Sequence, residues 1–302
     1  MNRNIPKNYS FVRFPEKPNV RYISSLKERM GAQDDSYTGY LDLEITTVDY
    51  LHIGSGFSHL DHKKLISEVA RENQSLIIPG SSLKGAVRQI CRAISDGCIP
   101  KEREIKLQSR QRAQCDLQKE TFHCCIVCDM FGGMSLGSKI RFTDLTAQKN
   151  NVECIPVCVQ FSPNAKASSY QYNCADNRKY HIGYKFYYTY CDKAGGATEE
   201  IEVVSKNVPF MGRVYFKQFR LEELCLFMHA LGFYQNFSLK LGGYKNAGLG
   251  TVRTKCCKFV VNGKVENPEK AYDYAKQYYD NCTDEAYAHI RDLETIMEYK
   301  ER

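Results

Sequence analysis

Stretches of the chain that alternate apolar and polar residues predict strands. In the first, Tyr40–Thr47, every second residue is Leu or Ile. Lys139–Asp144 and Phe210–Gln218 have the same period of two, and Thr251–Val261 is predicted as a last strand. Because successive side chains of a strand point to opposite sides, an alternating stretch has one face suited to a core.

Helical spacing of apolar residues predicts two helices between these strands. From Leu83 to Ile94, and again from Leu221 to Leu231, apolar residues recur three or four positions apart and share one side of a helix. Two more helices are predicted near the C-terminus. Asn267–Pro268 is typical of the N-cap and first position of one, and Thr283–Asp284 opens the other.

The order of these elements is β-α-β followed by β-α-β, the ferredoxin-like arrangement that the RNA-recognition motif shares. The predicted fold class is therefore α+β, with long insertions in the core. Between the first strand and the first helix, a glycine-punctuated loop is expected from His52 to Ile77. The predicted parts are an N-terminal arm (1–36), the core (37–96, 138–150 and 208–261), a cysteine-bearing insertion (97–137), an irregular aromatic insertion (151–207) and C-terminal helices (262–302).

The first predicted helix carries a row of cations. Lys84, Arg88 and Arg92 lie four positions apart and so share a face, and Ser81 or Ser82 is expected as the N-cap. Free N–H groups at a helix N-terminus attract anions, so this end of the helix suits a phosphate backbone. The alternative is a solvated basic face. A P-loop is not indicated, because no Gly-Lys-Ser/Thr follows the required spacer.

A glycine-rich segment, LGGYKNAGLGTVR, precedes the last predicted strand. Glycines let a backbone approach a ligand closely and expose its N–H groups, while Lys245 and Arg253 supply positive charge. The alternative is a hairpin-like turn with no ligand.

The insertion over 97–137 contains the cysteine cluster CDLQKETFHCCIVCDMFGG. Cys125 and Cys128 have the spacing of a thiolate knuckle that grips one tetrahedral Zn²⁺. Cys115 and His123 are the predicted further ligands, and Cys98 and Cys124 compete for the last position. Since all four positions would be protein ligands, the predicted zinc is structural. The alternative is a set of reduced, buried thiols.

Composition permits a nucleic-acid partner without requiring one. The 302 residues carry a net charge of +7 and include 21 Tyr and 15 Phe but no Trp. The first residues have no apolar stretch typical of a signal peptide, and no apolar run spans a bilayer, which predicts a cytoplasmic protein with no membrane partner. The 14 cysteines are therefore expected to be thiols or metal ligands.

Four segments, taken in order, resemble the signature segments of the CRISPR-associated RAMP proteins. They are LHIGSG after the first strand, then IPGSSLKGAVR, CDMFGG and LGGYKNAGLGTV. Within that superfamily they are most similar to the Cas family seven backbone subunits of type III-like effectors, over residues 40–255. CIVCDMFGG resembles the element of relatives with a zinc-binding insertion, and RKYHIGYKFYYTY (178–190) is similar to a segment of the III-D branch.

The resemblance implies a modified RNA-recognition fold that polymerises along a guide crRNA in an antiviral ribonucleoprotein complex and presents the guide to complementary target RNA. The implied partners are these RNAs, further copies of the chain and other effector subunits, with a separate nuclease in some relatives. The insertion over 151–207 is implied as a thumb that kinks the guide–target duplex. The implied phosphate contacts are Ser81, Ser82, Lys84, Arg88 and Arg92, facing Gly242, Gly243, Lys245 and Asn246.

The resemblance leaves open whether the chain itself cuts RNA. Catalytic relatives use an Asp in the loop between the first strand and the Pro-Gly-Ser-Ser segment, and Asp61 is the only Asp of the stretch GFSHLDHKKLISEVARENQSL (56–76). A carboxylate at that place would hold Mg²⁺ beside a scissile phosphate. Three hypotheses follow, of which the first is a non-catalytic scaffold and the second an Mg²⁺-dependent endoribonuclease subunit using Asp61. The third is a stand-alone RNA-processing enzyme with His52 or His181 as its catalytic histidine.

Overall fold

The computed structural model describes residues 8–23, 29, 35–61, 64–99, 106–112, 115, 122–158, 171–173, 179–189, 198–234 and 237–299. Its strands are β1 (Tyr9–Arg13), β2 (Arg21–Ile23), β3 (Tyr37–Thr47), β4 (Gly54–Asp61), β5 (Lys64–Val69), β6 (Arg71–Glu72), β7 (Ser75–Ile78), β8 (Phe122–Cys124), β9 (Ile140–Phe142), β10 (Leu145–Ala147), β11 (Val152–Cys158), β12 (Gln171–Asn173), β13 (Lys179–His181), β14 (Gly183–Tyr187), β15 (Thr198–Val204), β16 (Pro209–Phe219), β17 (Leu239–Lys240), β18 (Thr251–Val261) and β19 (Lys264–Glu266). Its α-helices are α1 (Gly80–Ala93), α2 (Ile126–Phe131), α3 (Leu221–Ala230), α4 (Glu269–Asn281) and α5 (Asp284–Met297), and short 3-10 turns span Ser109–Arg112 and Lys245–Ala247.

The central sheet has the strand order of the ferredoxin-like fold. β18, β3 and β16 lie side by side, β16 continues to β9 and β10, and every neighbouring pair is antiparallel. These are the fourth, first, third and second core strands in chain order. The predicted α+β class and the repeated β-α-β order are therefore confirmed.

The core lies between this sheet and the helices. Leu41, Leu43 and Ile45 alternate along β3 and are fully buried. α1 contacts β9, α3 contacts β16 and α4 contacts β18, and α4 also packs on α3. Burying a phenylalanine side chain stabilises the fold by about 1.5–3 kcal/mol. The five largest fully buried side chains are phenylalanines: Phe210, Phe216, Phe219, Phe227 and Phe259.

The C-terminal helices begin close to where the sequence placed them. The Thr283 hydroxyl accepts a hydrogen bond from the Ala286 N–H at 3.2 Å, so Thr283 is the N-cap of α5. α4 begins one residue later than predicted, because Pro268 is its N-cap. The Asn267 side chain still serves this helix start by accepting a hydrogen bond from the Glu269 N–H at 3.1 Å.

The segment predicted as a loop up to Ile77 contains strands instead. β4 and β5 form an antiparallel hairpin in which Leu60 lies opposite Leu65. β6 and β7 form a second, shorter hairpin, and β7 joins the edge of the central sheet through β10. Most of β4 is exposed, so its sequence lacks the apolar alternation that reveals a half-buried strand.

The insertion over 151–207, predicted as irregular, also builds sheet structure. β11 pairs with β15 over seven residues, and β15 runs parallel to β5 through Ile201 and Ser67. Together with β4 they form a second sheet of four strands. Its small separate core consists of Val157, Ile201, Val203 and Leu249.

The predicted N-terminal arm is described over 8–23, 29 and 35–36, and its remaining residues lie outside the described part. β1 pairs with β14, and β2 pairs with β8 of the cysteine-bearing insertion. The arm therefore ties the two insertions to the core. In the segment similar to the III-D branch, Arg178 and Tyr190 lie outside the described residues. No helix within the described ranges is long and apolar enough to cross a membrane.

Candidate nucleic-acid interface and metal centre

Helix α1 begins directly at the edge of the central sheet. Its N-cap is Pro79, whose carbonyl accepts from the Ser82 N–H at 2.9 Å, so the prediction that Ser81 or Ser82 caps the helix is wrong. Both serines lie in the first turn, where Ser81 is exposed. The Asp144 carboxylate accepts from the Gly80 N–H at 2.7 Å, which satisfies one of the free N–H groups.

Gly80 is required by close packing. A Cβ at this position would lie 2.7 Å from the carbonyl oxygens of Phe142 and Thr143. Only glycine lets the first turn of α1 come this close to the chain that follows β9. The exposed Ser81 is thereby held at a fixed place beside the sheet.

Lys84 is half-buried on the cationic side of α1. Its Nζ donates to Ser138 Oγ at 2.9 Å and to the Ile140 carbonyl at 3.3 Å. Burial lowers the pKa of Lys84, and the nearby Arg88 charge lowers it further. The ammonium group is therefore fixed in position beside β9.

Arg88 and Arg92 are also half-buried, so the cationic face is not a freely solvated surface. Arg88 Nη2 donates to the Gly132 carbonyl at 2.8 Å, directly after α2. The Nε atoms of both arginines are buried and have no hydrogen-bond partner among the described residues.

The glycine-rich loop packs tightly against the segment that follows β3. Gly242 has a φ of 77°, and a Cβ there would lie 2.2 Å from the His52 carbonyl oxygen. Gly243 donates its N–H to that same oxygen at 2.8 Å. Gly250 has a φ of 92° and would place a Cβ 2.1 Å from the Leu241 oxygen. Gly242 and Gly250 therefore serve close packing between loop and core, because a Cβ at either position would clash with a backbone oxygen.

Lys240, which the sequence analysis did not identify, stabilises this loop through hydrogen bonds to its carbonyl groups. Its buried ammonium group donates to the carbonyls of Gly248 and Leu249 at 3.0 and 3.1 Å. The predicted phosphate ligand Lys245 is partly buried, and burial lowers its pKa. The Asn246 carbonyl accepts from the Asn8 side chain at 2.9 Å, so the N-terminal arm reaches the loop.

The two histidines considered for catalysis lie in separate places. His52 is buried, with Nδ1 2.7 Å from the Glu202 carbonyl and its ring edge-on to Tyr244 at 5.2 Å between centroids. His181 is buried beside the cysteine-bearing insertion, where its Nδ1 accepts from the Lys106 N–H at 2.9 Å. Both rings are positioned by backbone groups.

Asp61 lies at the exposed tip of the β4–β5 hairpin, opposite Lys64. Nearby, His59 Nδ1 is 3.0 Å from a Glu68 carboxylate oxygen. In the described ranges Asp61 belongs to no group of three or more metal-ligating side chains. An Mg²⁺ site at Asp61 therefore has no pre-assembled ligand set in this part of the chain.

Four cysteines do form such a group. The sulfur atoms of Cys98, Cys115, Cys125 and Cys128 all lie within 4.8 Å of one another. Cys98 Sγ and Cys128 Sγ are 3.6 Å apart. His123, predicted as a ligand, is outside the group and exposed, and the remaining competitor, Cys124, is outside it as well.

The backbone explains why these sulfurs converge. Cys125 is the N-cap of α2, and its Sγ accepts from the Cys128 N–H at 3.4 Å. Cys115 Sγ accepts from the Cys125 N–H at 3.0 Å, and Cys98 follows the end of α1. His123 lies in β8 opposite Tyr22, where extended backbone turns it away from the buried side.

The donor set fits a zinc ion. Four sulfur donors from protein, three of them buried, match the closed tetrahedral environment of a structural Zn²⁺ site. All twelve cysteines in the described ranges are free thiols, so no disulfide uses the cluster sulfurs.

A network of buried charges lies beside this centre. Asp129, directly after Cys128, accepts from Arg29 Nε at 2.6 Å and lies 3.1 Å from both Lys139 Nζ and Arg220 Nη2. Glu223, at the start of α3, is fully buried and 3.3 Å from Lys139 Nζ. Burial and the Asp129 charge raise the pKa of Glu223 to about 7. The network joins the arm, the insertion and the core.

A family model described as the RAMP superfamily matches residues 44–253, which include α1, the cysteine cluster and the glycine-rich loop. Comparison with curated proteins gives no match. Among solved structures, a cryo-EM structure of the type III-B Cmr-beta bound to cognate target RNA matches with 18% sequence identity and a TM-score of 0.40. The match covers 75% of this chain and 61% of that chain, so this chain spans less than two thirds of its length.

Proposed function

Because the chain belongs to the RAMP superfamily, we propose that it is a guide-RNA-binding subunit of a CRISPR ribonucleoprotein effector. In this function it lies along the guide with further copies of itself and other effector subunits, and presents the guide for pairing with target RNA. The observation that supports it most is the family match itself, because that match includes both the cationic helix and the glycine-rich loop.

The chemistry of the two segments suits a phosphate backbone. The first turn of α1 offers an exposed hydroxyl at Ser81 and the ammonium group of Lys84 close by, with Ser82 in the same turn. The glycine-rich loop adds Lys245 and Asn246 on a turn whose shape Lys240 fixes. Charged donors held in place in this way bind phosphate oxygens at little conformational cost.

The test is guide-RNA binding by the Lys84→Ala, Lys245→Ala double variant at several salt concentrations. Losing one charge-assisted contact costs about 1.5–3 kcal/mol, so each substitution is expected to weaken affinity by about tenfold or more. The slope of log affinity against log salt should shrink by about 0.7 for each lost contact on single-stranded RNA. Lys264→Ala, at an exposed residue of β19, is the matched control and should change neither quantity. Unchanged affinity and slope in the double variant contradict the proposal.

The four cysteines are proposed to hold one structural zinc ion. Cys98, Cys115, Cys125 and Cys128 would bind it, and the bound ion would cross-link the end of α1 to the start of α2. Metal analysis of the purified chain should therefore give about one zinc per chain. A folded chain without metal contradicts this part of the proposal.

Cleavage of the target by this subunit is the alternative activity. The exposed position of Asp61 at a hairpin tip is the observation that favours it, because a bound RNA could reach the carboxylate there. Regular cuts in target RNA by the guide-loaded assembly with Mg²⁺, lost on Asp61→Asn, would establish an endoribonuclease subunit. Target binding without cuts would establish a scaffold.

A further inference from the structure

The wall of the cysteine cluster that faces helix α1 is basic. Arg88 Nη2 donates to the Gly132 carbonyl at 2.8 Å, and the Gly132 N–H in turn donates to the Cys128 carbonyl at 2.9 Å. One turn further along, Arg92 lies on the same side of the helix, between Arg88 and the chain that leads to Cys98.

Both arginines have an unused donor. The Nε atoms of Arg88 and Arg92 are buried without a hydrogen-bond partner in the described part of the chain. A buried donor left unpaired costs about 1–3 kcal/mol, more for a charged group. Two such atoms on one helix face indicate that a negative group belongs beside them.

The charge of a loaded centre accounts for these groups. Four thiolates around one divalent ion leave two negative charges uncompensated in a buried place, where charge is costly. Two guanidinium groups, which stay protonated, balance that charge. We propose that Arg88 and Arg92 are positioning residues of the cysteine metal centre that neutralise its thiolates. This inference rests on the proposed zinc site.

The inference divides the cationic face of α1 between two tasks. Lys84, nearest the N-terminus, remains the phosphate ligand, while Arg88 and Arg92 act on the metal centre. On this inference, the expectation that all three cations contact guide RNA would hold for Lys84 alone. Since the centre then grips α1 through two side chains, metal loss should also loosen the helix that carries the phosphate ligands.

The experiment measures zinc affinity by chelator competition, and the pH of half-maximal zinc release, in the full chain. Arg88→Gln and Arg92→Gln are each expected to weaken zinc affinity by about 10–100-fold, the range for groups that support metal ligands. Loss of a nearby cation raises thiol pKa values, so protons compete better and zinc should be released at a higher pH. Arg88→Lys should restore most of the affinity.

Lys84→Gln is the control within the same helix. It should leave zinc affinity unchanged while guide-RNA binding weakens. Cobalt spectra of each variant report whether the tetrahedral sulfur site is still formed, which separates a charge effect from misfolding.

Three outcomes overturn the inference. A wild-type chain that binds no zinc overturns it together with the zinc proposal. Wild-type zinc binding with unchanged affinity and release pH in both arginine variants overturns it alone. Loss of guide binding in Arg88→Gln with unchanged zinc affinity would instead make Arg88 a phosphate ligand.

Discussion

The two insertions of this chain are held to the same core by different kinds of interaction. The cysteine-bearing insertion is held by a buried charge network around Asp129, which lies beside the cluster of four cysteines. The other insertion forms a second sheet with the β4–β5 hairpin and has a small apolar core around Ile201. On the hairpin, Phe57, Leu60 and Leu65 are 74%, 72% and 68% exposed. The first insertion is therefore held by buried ion pairs, and the second depends on few apolar contacts.

The largest effect on stability is expected from Asp129→Ala. The variant would remove a buried carboxylate from both Arg29 and Lys139, although Lys139 would keep its pair with Glu223, and breaking a buried pair in this way costs about 3–5 kcal/mol. Urea unfolding of the chain measures the difference. Glu222→Ala removes a carboxylate at the exposed border of the network, 3.4 Å from Arg220 Nε, and should cost less than about 1 kcal/mol. Equal effects of the two variants would show that the network does not fasten the insertion.

A smaller and local effect is expected from Ile201→Ala. Ile201 is fully buried in the small core of the second sheet, and such a truncation costs about 2–4 kcal/mol. Hydrogen exchange should accelerate in β11 and β15 before it changes in β3, since the second sheet opens separately. Leu60→Ala deletes a side chain of the same size from the exposed hairpin and should change stability by less than about 0.5 kcal/mol. A large effect of Leu60→Ala would mean that the hairpin is part of a buried surface.

The smallest expected effect is a change in the free energy of unfolding with pH, caused by Glu223 in the charge network. Glu223 has a folded-state pKa of about 7, raised from 4.5, so the folded chain holds this proton more tightly than the unfolded chain. Its contribution to stability is complete below the unfolded value and is lost as pH rises through about 7. Glu223→Gln should remove this decline, measured as unfolding free energy at pH values from about 5 to about 8. The same decline in the variant would assign it to another group.

The sequence predicted what depends on local periodicity. β18 spans the predicted residues, and β3, β16 and α3 differ by a few residues at their ends, because one buried face imposes its period on the residues. The sequence did not predict the hairpin of β4 and β5, because β4 is mostly exposed and its residues do not alternate between apolar and polar. The strands of the 151–207 insertion were missed for a related reason, as their core is only a few residues wide.

The candidate site could be predicted only in part, because tertiary contacts determine which residues come together in it. His123 is close to Cys125 in sequence, yet β8 places it on the outside, while the distant Cys98 arrives from the end of α1. Lys240 and Asp129 bind partners that are set by the fold. A lysine directly before a glycine-rich loop, and an acid directly after a CxxC pair, are the signals that would have identified them.

The central claim is that guide RNA lies on the first turn of α1 and on the glycine-rich loop. Photo-crosslinking of a thiouridine-substituted guide to the assembled complex, read by mass spectrometry, tests it most directly. The account predicts crosslinked peptides that contain residues 81–84 and 242–246. Crosslinks confined to the open face of the central sheet, around the exposed Tyr215, would contradict it.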